Sequence, residues 1–181
     1  MEHFVFPFIL NSKTGYLIWV SDDEESKQEH FVTNDSGKIT TFSSLDDLKR
    51  FGDYRGITVT SSSDPRALDL DAIADWLSKD EEMPACAVLL EAWNAFSDVS
   101  SSFREETTPF AKVISAHRPI YEKLFWGSNL PPVTPAGERY DPIWDSSEIE
   151  SLKSIFDAGL DLFIASTGQR PQEPLPFPAR E

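Results

Sequence analysis

Apolar and polar positions follow two different rhythms along the chain, and the change falls near residue 62. Before it, short apolar runs alternate with turn residues. FVFPFIL (4–10) and YLIWV (16–20) read as strands separated by the turn residues SKTG. A polar stretch, SDDEESKQE, reads as a loop or hairpin tip. HFVT (30–33) and KITTF (38–42) then flank Asn34-Asp35-Ser36-Gly37, whose glycine can take positive φ. Ser44 followed three residues later by Asp47 approximates a capping box. Leu45 and Leu48 begin an apolar helical face, and Gly52 or Gly56 can end that helix. ITVTS (57–61) is a fifth short strand. This pattern predicts a small, mainly antiparallel sheet carrying one helix.

After residue 62 the period becomes helical. Leu70, Ile73, Ala74 and Leu77 fall on one helix face. Pro84 suits the first turn of a helix running to about Ser100. In that helix Glu91, Asn94 and Asp98 form one narrow polar stripe on an otherwise apolar surface, as expected of a central helix. Pro119 lies inside TTPFAKVISAHRPIYEKLF and should kink or split it near His117. Asp145 with Glu148 caps a last helix over 146–165, striped by Ile149, Leu152, Phe156, Gly159 and Phe163. The tail GQRPQEPLPFPARE, with four prolines, should be extended or disordered. The expected fold class is α+β: an N-terminal sheet with one helix, followed by a C-terminal helical bundle. It forms one domain over 1–168, sheet-rich to 62 and helical beyond, with a proline-rich tail over 169–181.

One segment fits neither rhythm. LFWGSNLPPVTPAGERYDPIW (124–144) holds Phe125, Trp126, Tyr140 and Trp144 among four prolines, two glycines and three charges. It is expected to form neither helix nor central strand. Its prolines lower the entropic cost of ordering it, and its aromatics offer large area with few rotatable bonds. Two uses are open: Trp126 and Trp144 pinning a long loop onto the core, and Tyr140 and Asp141 meeting a partner.

Charge narrows the function. Sixteen basic against 31 acidic residues give a net charge of −15. Such a surface repels phosphate backbones and anionic lipids, so neither nucleic acid nor membrane is an expected partner, whereas a basic protein would be attracted. Asp22, Asp23, Glu24 and Glu25 form the densest acidic run and are candidate partner contacts. Glu91 and Asp98 are further candidates, if their stripe lines a groove for a lysine or arginine instead of facing solvent. The opening MEHFVFPFIL carries Glu2 and Pro7 and no basic start, and no stretch reaches membrane-spanning length. A cytoplasmic location is therefore expected.

Candidate chemistry is sparse. GxSxG, HExxH, P-loop, GxGxxG and paired CxxC patterns are absent. Cys86 sits in the apolar run PACAVLLEAW and reads as a small buried residue. Paired carboxylates lie in polar loops or helix starts, where both members stay ionised, in contrast to the desolvated acid that glycoside hydrolysis needs. SDDEES lacks the spacing and glycine of a calcium loop. His117 beside Arg118 is the one suggestion of an anion site. No catalytic, cofactor or metal residue is assigned, and a non-enzymatic protein is expected.

The stretch FVTNDSGKITTFSSLDDLKRF, a strand-turn-strand-helix opening in a compact acidic chain without a catalytic set, resembles bacterial immunity proteins of polymorphic and contact-dependent growth-inhibition toxin systems. That resemblance implies a protein that binds a cognate toxin, often a basic nuclease, and blocks its active site or substrate access. It carries over no residue roles. The other readings are an acidic adaptor or nucleic-acid mimic with a different partner, and a small enzyme or ligand-binding domain around His117.

Overall fold

The computed structural model describes residues 1–21, 29–61, 66–79, 82–103 and 109–168. The acidic run Asp22–Glu25 and the proline-rich tail lie outside these residues.

Two nine-residue strands, β1 (Glu2–Leu10) and β2 (Lys13–Ser21), form an antiparallel hairpin that is the backbone of the fold. The turn between them is Asn11-Ser12, with φ of 53° and 58°, one residue earlier than the SKTG expectation. Both residues accept left-handed backbone because a helix holds them. The carboxylate of Asp71 accepts from the backbone N–H groups of Asn11 and Ser12, each at 2.7 Å. A two-residue turn of this hand matches the twist of a hairpin.

The remaining strands are two-residue additions. β3 (His30–Phe31) pairs antiparallel with β2, while β4 (Val59–Thr60) and β5 (Leu68–Asp69) pair parallel with β1. The order β3-β2-β1-β4, with β5 also on β1, makes β1 central. KITTF does not form the expected strand. It contributes only isolated bridges, Thr33 to Ile39 and Tyr16 to Phe42. The two parallel pairings also went unforeseen, since pairs of two residues carry no period to read.

The hairpin buries both faces. Phe6, Phe8, Leu10, Leu17, Trp19 and Phe31 turn toward the helical half. Val5, Tyr16, Ile18 and Val32 turn the other way, onto α1 (Leu45–Arg55) through Leu48, Phe51 and the preceding Phe42. Ser44 caps α1 as expected, accepting from the Asp47 N–H, and Gly56 ends it at φ 69°.

The helical half comprises α2 (Leu70–Lys79), α3 (Cys86–Ser101), α4 (Pro109–Ala116), α5 (Arg118–Gly127) and α6 (Ser146–Thr167). Pro119 splits α4 from α5 at His117. Helix α3 is the central one, with Leu89, Leu90, Ala92, Trp93, Ala95, Phe96 and Val99 all buried. Phe156 of α6 meets Trp76, Trp93 and Phe96 in edge-to-face pairs, each at a 6.1 Å centroid distance. Edge-to-face geometry of this kind adds to the area each ring buries. Gly159 lets α6 approach so closely that a Cβ there would overlap the Phe96 ring. Asp145 and Glu148 complete the expected capping box at the start of α6.

Candidate functional site

The irregular segment that the sequence singles out is shorter than expected at its start. Leu124 to Gly127 complete the last turn of α5, and the loop proper runs from Ser128 to Asp145. Apolar i, i+3, i+4 spacing through Tyr121, Leu124 and Phe125 explains the extra turn.

Eighteen residues without a helix or strand must satisfy their backbone otherwise. Asn129, at φ 51°, is the main clamp. Its Nδ2 donates to the Tyr140 carbonyl at 3.0 Å, and its Oδ1 accepts from the Tyr140 N–H at 2.8 Å. The side chain thus imitates a strand partner across eleven residues. The excursion between is folded on itself. Val133 and Thr134 donate to the Leu130 carbonyl, and Glu138 donates to that of Pro135, each at 3.0 Å. Pro142 lies against Gly127, where a Cβ would stand 2.8 Å from the proline ring and 2.7 Å from the Cys86 sulfur. Trp144 packs on the core and lies under the Lys123 ammonium, 4.8 Å from its ring centroid. Lys123 in turn binds Glu148 at 2.6 Å, which holds that carboxyl below its ordinary range.

Between these anchors, and at the end of α5, apolar side chains face solvent. Trp126, Leu130, Val133, Tyr140 and Ile143 are five of the nine exposed large hydrophobic residues among the described ones, and Ile143 is 87% exposed. An isolated exposed apolar residue is ordinary, but five within eighteen positions of a backbone held in place are not. Glu138, Asp141, Asp145 and Glu150 are exposed in or beside the same segment. Asp141 accepts from Arg139 Nε at 2.7 Å, which pushes the guanidinium pKa up.

The two uses proposed for the aromatics therefore divide by residue. Trp144 pins the loop, while Trp126, half exposed and edge-on to Phe125 at 5.3 Å, does not. Tyr140 and Asp141 lie on the exposed loop. Ile143 and the clamp Asn129 escaped the sequence reading. Asn129 follows Gly127-Ser128 directly after a helix, where an asparagine in left-handed conformation is a common stop signal. That signal was available.

On α3 the polar stripe separates as well. Glu91 and Asn94 are exposed, whereas Asp98 is half-buried and accepts from Trp19 Nε1 at 2.9 Å. Loss of water, with Glu29 nearby, pushes the Asp98 carboxyl up to about 7, the indole hydrogen bond opposing the rise. His117 donates from Nδ1 to the Val113 carbonyl at 2.8 Å, a local bond within the α4–α5 corner. Arg118 pairs with Glu122. Cys86 lies beneath the loop, and burial pushes its thiol up. Among the described residues no group of three or more His, Cys, Asp or Glu could hold a metal ion, and no helix is long and apolar enough to cross a membrane.

Comparison with protein-family models, with curated proteins and with solved structures finds no match.

Proposed function

We propose that this chain is an inhibitory binding protein for a basic protein, in the manner of a toxin immunity protein, and that the 128–145 loop is the part that enters the partner. The observation that carries this reading is the loop itself. A backbone ordered by side-chain clamps holds Tyr140 and Ile143 in solvent, Trp126 is exposed at the end of α5 just before it, and Glu138 and Asp141 are exposed on the same loop. Rigid aromatic and aliphatic anchors within a polar rim are the composition of an interface centre. A net charge of −15 selects a cationic partner and speeds the encounter. A nuclease-type toxin, which must attract phosphate, presents such a cationic surface.

The test is binding of the product of the neighbouring gene to the full chain, followed by growth rescue of cells expressing that product. Binding and rescue that Tyr140→Ala with Ile143→Ser weaken support the reading. Absence of binding removes the immunity role. Binding indifferent to the loop pair moves the contact to another surface, with Glu91 of α3 the next candidate.

A further inference from the structure

Residues 138–145 run without a turn or bend. Pro142 fixes its own φ and biases Asp141 before it toward extended backbone. Asp145 at the far end is extended, with φ −87° and ψ 169°. Side chains of such a stretch point alternately to two faces. Pro142 and Trp144 are half-buried, against Gly127 and on the core, whereas Arg139, Asp141 and Ile143 are exposed. The segment is strand-like, with one face seated and the other open. Its backbone also has two edges, because the N–H and C=O groups of successive extended residues point to opposite sides. Asn129 takes the edge of Tyr140, accepting from its N–H and donating to its carbonyl. Pro142 shares that edge, so its missing N–H removes no donor from the other one. The other edge carries the N–H and C=O groups of Arg139, Asp141 and Ile143. None of these groups makes a hydrogen bond among the described residues. An unpaired edge of this kind is a template for a further strand.

We propose that the free edge of 139–143 pairs through main-chain hydrogen bonds with an extended segment of a cationic protein. In that segment an apolar residue faces Ile143, and basic residues lie two positions to either side of it. The pairing rests on the reading that the loop enters a basic protein, and it supplies the contact. Strand addition takes its affinity from main-chain bonds and its specificity from alternate side chains. The apolar position follows from Ile143, since cross-strand neighbours on one face meet directly. The basic positions follow from the net charge of −15 and from the exposed Glu138, Asp141 and Asp145. Asp141 already accepts from Arg139, and Asp145 from the Glu148 N–H, so both act through their field and not as dedicated ion pairs. The same net charge disfavours a second copy of this chain as the added strand. Asn129, Pro142 and Trp144 hold the edge extended beforehand, which lowers the ordering cost of pairing.

The test follows the backbone amide signals of the full chain by nitrogen-15 NMR. The probe is the capped peptide Thr-Lys-Thr-Val-Thr-Lys-Thr, beside the same peptide N-methylated at its internal residues and a version with glutamate for lysine. The expected result is a saturable shift centred on the Asp141 and Ile143 amides with the first peptide, lost with the other two. N-methylation keeps the charge and removes the main-chain donors, so it separates pairing from general attraction. Asp141→Pro removes one donor from the free edge and keeps the backbone extended. It should weaken binding about tenfold, the cost of a strand carbonyl left without its donor. Asp141→Asn keeps the N–H and should stay within about threefold. No saturable shift at these amides, equal binding of the N-methylated peptide, tighter binding of the glutamate peptide, or indifference to Asp141→Pro each overturns the proposal. Self-association through the same amides assigns the edge to a second copy and overturns it as well. The neighbouring gene product is titrated separately. Its failure to bind a chain that binds the peptide removes the immunity role alone. Binding of that product weakened by Tyr140→Ala with Ile143→Ser, yet unchanged in Asp141→Pro, removes the strand pairing alone.

Discussion

At the residue scale, Asp98 is a carboxylate kept largely from water with one neutral donor, Trp19 Nε1. Glu29 before β3 adds like charge. Its folded-state pKa of about 7 stands above the model-compound value of 3.8. The folded protein therefore holds that proton more tightly than the unfolded chain does. The stabilisation is complete below the unfolded value and is lost as pH rises toward 7. Asp98→Asn keeps an acceptor for the indole and removes the charge. At pH 8 it should stabilise the fold, on the order of 2–4 kcal/mol, since one decade of proton affinity is worth about 1.4 kcal/mol. At pH 4 the gain should vanish. Denaturant unfolding at both values checks this, and an equal effect at both would show that Asp98 ionises freely. Sequence periodicity placed Asp98 on the polar line of α3, but the indole that covers it comes from β2, 79 residues away. No local pattern reports such a pairing.

At the scale of elements, α6 and the loop before it are set by opposite means. Helix α6 is held by apolar burial, and its stripe was legible because four of its five members, Leu152, Phe156, Gly159 and Phe163, are buried at helical spacing. Truncating Phe156 to Ala should cost about 3–5 kcal/mol, through lost transfer energy and the cavity left among Trp76, Trp93 and Phe96. Gly159→Ala should cost about 1–3 kcal/mol for the opposite reason, overpacking against Phe96. Thermal melts separate these from a solvent-facing stripe, which would register neither. The loop is held by hydrogen bonds instead. Asn129→Ala removes three bonds, to the Gly127 carbonyl and to both backbone groups of Tyr140, while touching no core residue. It should change the melting temperature little, yet raise backbone mobility over 130–141 in NMR relaxation. Helices α1, α3 and α6 and the long hairpin were legible from caps and periods. Of the two short parallel strands, β4 falls within ITVTS, where a strand was expected, and β5 did not show; neither pairing was legible, because it is imposed by where α1, before β4, and α2, after β5, hold the chain beside β1. Likewise, the proline-rich composition marked the loop, but which aromatics face solvent depends on contacts with Cys86, Gly127 and Lys123.

At the scale of the whole molecule, charge and apolar surface should act on different steps of partner binding. The net charge of −15 acts at long range and is screened over about 10 Å at 0.1 M salt. Raising salt from low to physiological strength should slow association with a basic partner about tenfold or more, while dissociation changes little. Single surface acids should matter by less than about 1 kcal/mol each, because an exposed charge is one part of a summed field. The anchors of the loop act only after contact. Tyr140→Ala and Ile143→Ser should leave the association rate within about threefold and raise the dissociation rate by tenfold or more, the loss expected when an interface anchor is truncated. Gly127→Ala should mimic both, since its new Cβ displaces Pro142 and moves the apolar residues together without removing any of them. Surface plasmon resonance at two ionic strengths, on the wild type and these three variants, reads all of these rates. An association rate indifferent to salt would refute the electrostatic half of the mechanism. Dissociation unchanged by the three variants would place the contact away from the loop.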